Sequence, residues 1–82
     1  LDFHWVQQDG EWLLKPSMIS VRSNDSFFFV IHVGDRPLNA RYTSEQGAKL
    51  DAWEFAKSKA QALFGVRDIR LVSETTKKPP AP

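Results

Sequence analysis

Seven residues of this chain combine a type that could contact nucleic acid with a place on or beside one sheet: Lys15, Arg22, Phe28, His32, Arg36, Asn39 and Arg41. Arginine and lysine bind phosphates, and nucleic-acid bases stack on exposed aromatic rings. Their spacing puts most of them on one side of a sheet. Phe28, Val30 and His32 alternate through the strand-like run 27–33, Arg22 ends the run 18–22, and Asn39 and Arg41 alternate beyond Gly34-Asp35. A buried sheet face does not normally carry two arginines, and a plain solvent face does not normally carry Phe and Val side by side. These seven residues are the candidate nucleic-acid contacts: the cations for phosphates, and Phe28, His32 and Asn39 near bases.

Catalysis finds no comparable set. The chain has no cysteine, which removes thiol nucleophiles, disulfides and thiolate metal sites. His4 and His32 fall on different hairpins, and neither has a neighbouring partner that would make a triad. Gly34-Asp35-Arg36-Pro37 is a turn and not a phosphate loop, and no HExxH pattern is present. A non-catalytic protein without metal or cofactor is expected.

The elements that hold the seven residues follow from turn chemistry. Asp9-Gly10 suits a type I′ hairpin turn and pairs Gln8 with Glu11, Val6 with Leu13 and Trp5 with Leu14 across the segment 3–15. Phe3, Trp5, Trp12 and Leu14 then share the face expected to be buried, and Pro16 ends the pairing. Residues 18–22 form a third strand with Ile19 and Val21 on one side, and 23–26 a loop. Gly34-Asp35 suits a type II′ turn, which pairs Ile31 with Leu38, Phe29 with Ala40 and Phe27 with Tyr42. The sequence leaves open whether the N-terminal hairpin lies over the Phe28–Val30 face.

A helix follows, with Thr43 as N-cap and Gln46 completing a capping box, running to Phe64 and stopped by Gly65. Ala48, Ala52, Ala56, Ala60 and Leu63 form its apolar stripe, flanked by Trp53, Phe55 and Phe64, with Asp51, Glu54, Lys57, Ser58 and Gln61 opposite. Gly47 in its first turn points to a close approach. Residues 66–72 alternate as a last strand with Ile69 and Leu71 inward.

The expected fold is therefore α+β: an antiparallel sheet of five to six short strands, including two hairpins, on one amphipathic helix, in the order β-β-β-β-β-α-β. Its core is Phe27, Phe29, Ile31, Leu38, Ala40, Tyr42, Ala52, Trp53, Ala56, Ala60, Leu63, Ile69 and Leu71, besides the N-terminal hairpin. Eighty-two residues make one small domain, which buries about 60–65% of its unfolded surface. The domain is expected over 1–73, with a Lys- and Pro-rich linker at 74–82. That tail, with Leu1 in place of Met at the start, reads as a domain excised from a larger protein, with initiator-Met or signal-peptide removal as the other explanation of the start. No targeting segment and no apolar run near the roughly 20 residues of a membrane span is present, so no membrane association and an intracellular location are expected.

The strand–strand–strand–helix order over 18–64 is similar to that of plant AP2-type and integrase arm-binding domains. The likeness is one of element order and no motif residue carries it; it implies an open sheet face used on DNA. The net charge of +1 is far from the strongly basic balance of many nucleic-acid-binding domains. Nucleic-acid binding, with Lys77-Lys78 as an added basic contact, is the first expectation. The alternative is protein association or homodimer formation through the same patch or an edge strand. A third is a structural role within a larger assembly. An unbroken basic stripe would favour the first and an open edge strand the second.

Overall fold

The computed structural model of the chain describes residues 1–23 and 28–75, with side chains through residue 72. Its elements are β1 (Asp2–Gln8), β2 (Glu11–Lys15), β3 (Ile19–Ser23), β4 (Phe29–Val33), β5 (Arg36–Pro37), α1 (Glu45–Ser58), α2 (Ala60–Phe64) and β6 (Arg70–Thr75). The strands form one sheet in the order β5-β4-β3-β2-β1-β6, antiparallel except where β6 runs parallel to β1. This is the α+β arrangement expected from the sequence. Phe27, the loop residues 24–26 and the Lys77-Lys78 tail lie outside the described residues.

The N-terminal hairpin forms in the expected register, from Gln8↔Glu11 to His4↔Lys15. Asp9 and Gly10 take φ of 53° and 79°, the left-handed pair a type I′ turn requires. The hairpin does not lie over the sheet. It is the sheet's centre, because β3 pairs with β2 and β6 with β1. Strand alternation sends Phe3, Trp5, Trp12, Leu14, Ile19, Val21 and Ile31 to the helix side, all buried.

The helix meets that face through Ala48, Ala52, Ala56 and Ala60, all buried. Small side chains let the helix axis approach the sheet. The larger Trp53, Phe55 and Phe64 pack at its flanks, with Phe3 5.9 Å from the Trp53 ring and 5.0 Å from Phe64. The cap sits one residue later than expected: Ser44, not Thr43, accepts the Gly47 N–H at 2.9 Å. A Cβ on Gly47 would lie 2.9 Å from the Ser44 hydroxyl, which is the close approach that favours glycine there. The helix is interrupted at Lys59, after Ser58 Oγ donates to the Phe55 carbonyl at 3.0 Å. Such back-bonding competes with the helical ladder. The break turns the stripe, and Leu63, expected in the core, is 46% exposed.

The second hairpin departs from its expected register. Val33↔Arg36 and His32↔Pro37 pair as the turn dictates, and Leu38 N–H still donates to the Ile31 carbonyl at 2.8 Å. The chain then bends away at 39–41 and returns with Tyr42, not Ala40, opposite Phe29. The slip of two residues keeps side-chain parity, so Tyr42 still faces the helix side. It gives Phe29 an aromatic cross-strand partner where Ala40 offered a single methyl. Asn39 suits the bend. Ala40, expected in the core, is exposed. The last strand also shifts, from 66–72 to Arg70–Thr75, because 66–69 carry the chain from the helix to the far edge. Ile69 and Leu71 pack against the core as expected.

Candidate binding surface

Because the N-terminal hairpin is part of the sheet, the face away from the helix is open and broad. No described helix or strand lies over it. Its residues fall into rows. One row crosses five strands through Val6, Leu13, Ser20, His32 and Pro37. Val6, Leu13 and His32 are half-buried and Ser20 is buried, its hydroxyl without a hydrogen-bond partner among the described residues. A second row runs Gln8, Glu11, Arg22, Val30, and His4 and Lys15 form the start of a third.

Five of the seven candidate residues share this face. Arg22 is held in place: Nε lies 3.3 Å from Glu11 Oε1, and Nη2 lies 3.8 Å from Asp35 Oδ1 and donates to the Gly34 carbonyl at 3.4 Å. The Glu11 contact has ion-pair distance without hydrogen-bond alignment. His32 sits between Ser20 and Pro37, with Nδ1 3.4 Å from the Val30 carbonyl oxygen. Phe28 is half-buried, and the exposed Arg41 guanidinium lies 5.8 Å from its ring centroid. Lys15 is exposed at the opposite end, beside His4.

The other two are elsewhere. Arg36 pairs with Val33 and so projects to the helix side, exposed at the hairpin tip. Asn39 is exposed in the bend beyond β5. The basic stripe is thus broken. Arg22 is paired with acids, Arg70 at the β6 end is paired with Asp2 at 3.3 Å, and Lys15 and Arg41 stand at opposite ends.

The two sheet edges differ. β5 has only two residues, and Pro37 occupies a pair whose ladder needs no N–H from it, which leaves that edge a poor template for another strand. β6 has six residues, with a register shift opposite Phe3/His4 that leaves Val72 out of the ladder and 55% exposed.

Sequence reasoning missed Lys49. It is 3% exposed on the sheet side of α1, its ammonium 3.6 Å from the Trp12 ring centroid and 5.5 Å from that of Trp5. Such a contact is worth about 2 kcal/mol when water is excluded. The signal was its place on the wheel, three residues before Ala52 and four before Trp53, beside the alanine stripe.

Among the described residues, no three His, Asp or Glu side chains converge on a metal site, and no helix is long and apolar enough to cross a membrane. Comparison with protein-family models, with characterised proteins and with solved structures finds no match to this chain.

Proposed function

We propose that this chain is a non-catalytic binding module whose open sheet face docks a protein partner. The observation that carries the reading is the row Val6–Leu13–Ser20–His32, in which two half-buried aliphatic side chains adjoin a buried serine and a half-buried histidine, rimmed by the Glu11–Arg22 pair and by Lys15. An apolar centre with a mixed-charge polar rim is the anatomy of a protein interface. Phosphate tracking needs several unpaired cations in a line, and here acids stand beside the central arginine.

One observation favours nucleic acid as a second reading. Arg41 over Phe28, two residues before Val30 and of the same parity, makes a cation–aromatic corner of the kind on which a base stacks.

Amide shifts of the labelled chain, followed against a mixed duplex and single-stranded oligonucleotide pool at low and moderate salt, separate the two. The protein reading expects no salt-sensitive shifts at Arg22, Phe28, Val30, His32 or Arg41. It also expects a photo-cross-linker placed at Leu13 to form a protein adduct in native extract that one placed at Gln61 on the helix does not. Salt-sensitive shifts confined to the Arg22–Arg41 side would replace it with the nucleic-acid reading.

A further inference from the structure

On the helix side of the sheet, the early end of β5 leaves a strip beside β4 uncovered. The result is an open groove of about 500 Å³ between α1 and β4. Ile31, Leu38, Tyr42 and Phe55 make its apolar floor and Asp51 and Glu54 stand on its helix rim. Among the described residues no cation lies within ion-pair distance of Asp51; Glu54 is bridged by Lys57 at 2.8 Å. The groove therefore combines aromatic rings, an aliphatic floor and one net negative charge, that of Asp51, which faces the Tyr42 hydroxyl.

We propose that this groove takes an extended lysine- and proline-bearing segment, supplied by residues 77–82 of a second copy of this chain. Proline-rich segments bind aromatic-lined grooves because their polyproline II conformation is preformed and loses little entropy on docking. The sequence Lys77-Lys78-Pro79-Pro80-Ala81-Pro82 joins that backbone preference to two adjacent positive charges, complementary to Asp51 and able to compete with Lys57 for Glu54. Six such residues span about 19 Å. The sheet order argues for a second copy as the donor. β6, which leads into this segment, is separated from β4 by β1, β2 and β3. Four strand spacings amount to roughly 19 Å, and α1 lies across the helix side of the sheet between them. A tail from another molecule enters the groove without crossing the helix.

The test uses a labelled 82-residue chain carrying Lys77→Glu and Lys78→Glu, whose groove is intact and whose own tail is repelled. Adding unlabelled wild-type chain is expected to shift Tyr42, Asp51 and Phe55, and less so as salt rises. A labelled chain that also carries Asp51→Asn and Glu54→Gln is expected to bind the wild-type donor about fivefold more weakly, the size of two exposed charge pairs. An unlabelled Asp51→Asn, Glu54→Gln chain should remain a full donor. A synthetic peptide of residues 75–82 should reproduce the groove shifts. Absent groove shifts, shifts confined to the Val6–Leu13 face, or groove contacts in the wild-type chain that do not change on dilution would each overturn the proposal.

Discussion

The two hairpins begin alike and end differently. Asp9-Gly10 and Gly34-Asp35 both place glycine at positive φ, and each sets the first pairs of its ladder as the turn chemistry requires. The first ladder then continues through five pairs, whereas the second loses register after Leu38. A turn fixes register only as far as the next side chains gain by keeping it. In the first hairpin the turn's own register puts Trp5 opposite Leu14, both buried. In the second it would put Ala40 opposite Phe29, and a two-residue slip exchanges that methyl for Tyr42. Position in the sheet adds to the contrast. β1 and β2 have neighbours on both sides that would lose their own pairs, while β5 is an edge with no strand beyond it among the described residues.

The largest expected effect tests whether the continuous hairpin holds the core more firmly than the slipped one. Trp5→Ala should cost about 3–5 kcal/mol in urea unfolding. Phe29→Ala, which removes a half-buried ring, should cost about 2 kcal/mol. Equal losses would mean that the slipped register packs as tightly as the continuous one. The turns themselves should not differ. Gly10→Ala and Gly34→Ala should each cost about 1–2 kcal/mol for a side chain in the left-handed region. Added Cβ atoms would meet nothing within 4 Å at Gly10 and only Met18 Sδ at 3.6 Å at Gly34, so backbone strain is the whole cost at both. A large excess at Gly34 would locate the difference in the turn instead of beyond it.

The same contrast explains what could be read from residues alone. Alternation and turn types carried the strand order within each hairpin, the buried set Phe3, Trp5, Trp12 and Leu14, and the alanine stripe, because each is a local rule repeated several times. The slip at Ala40 was not legible: it depends on comparing two pairings whose parity is the same, and hydrophobic pattern cannot separate those. Leu63 was misplaced because the helix is interrupted at Lys59, beside the Ser58 bond back to the Phe55 carbonyl, and a uniform wheel does not carry across the break. The candidate surface was legible in part. The shared parity of Arg22, Phe28, Val30, His32 and Arg41 came from strand period. The neutralising contacts of Arg22 with Glu11 and Asp35 depend on which strand neighbours which, and the sequence did not place the N-terminal hairpin. Lys49 was missed because lysine is read as solvated unless its surroundings are known.

The smallest expected effect is also the most direct probe of how the second hairpin closes. Tyr42 has its hydroxyl pKa raised above the ordinary value of 10.0, first by burial and then by Asp51, which it faces as a hydrogen-bond partner and a negative charge. The folded protein therefore holds the phenol proton more tightly than the unfolded chain does. That contribution to stability is fully present below the unfolded pKa and is lost as pH rises through the folded one. Tyr42 is the only tyrosine in the sequence, so tyrosinate absorbance reports it alone. The folded protein should titrate above the denatured one, and Tyr42→Phe should flatten the alkaline end of the stability profile. Asp51→Asn should bring the midpoint down only part of the way, since burial is the larger cause. A midpoint in the folded chain equal to that of the denatured chain would mean that the Phe29–Tyr42 bridge is open in solution. The second hairpin would then end at Leu38, and the groove beside β4 would lose one wall.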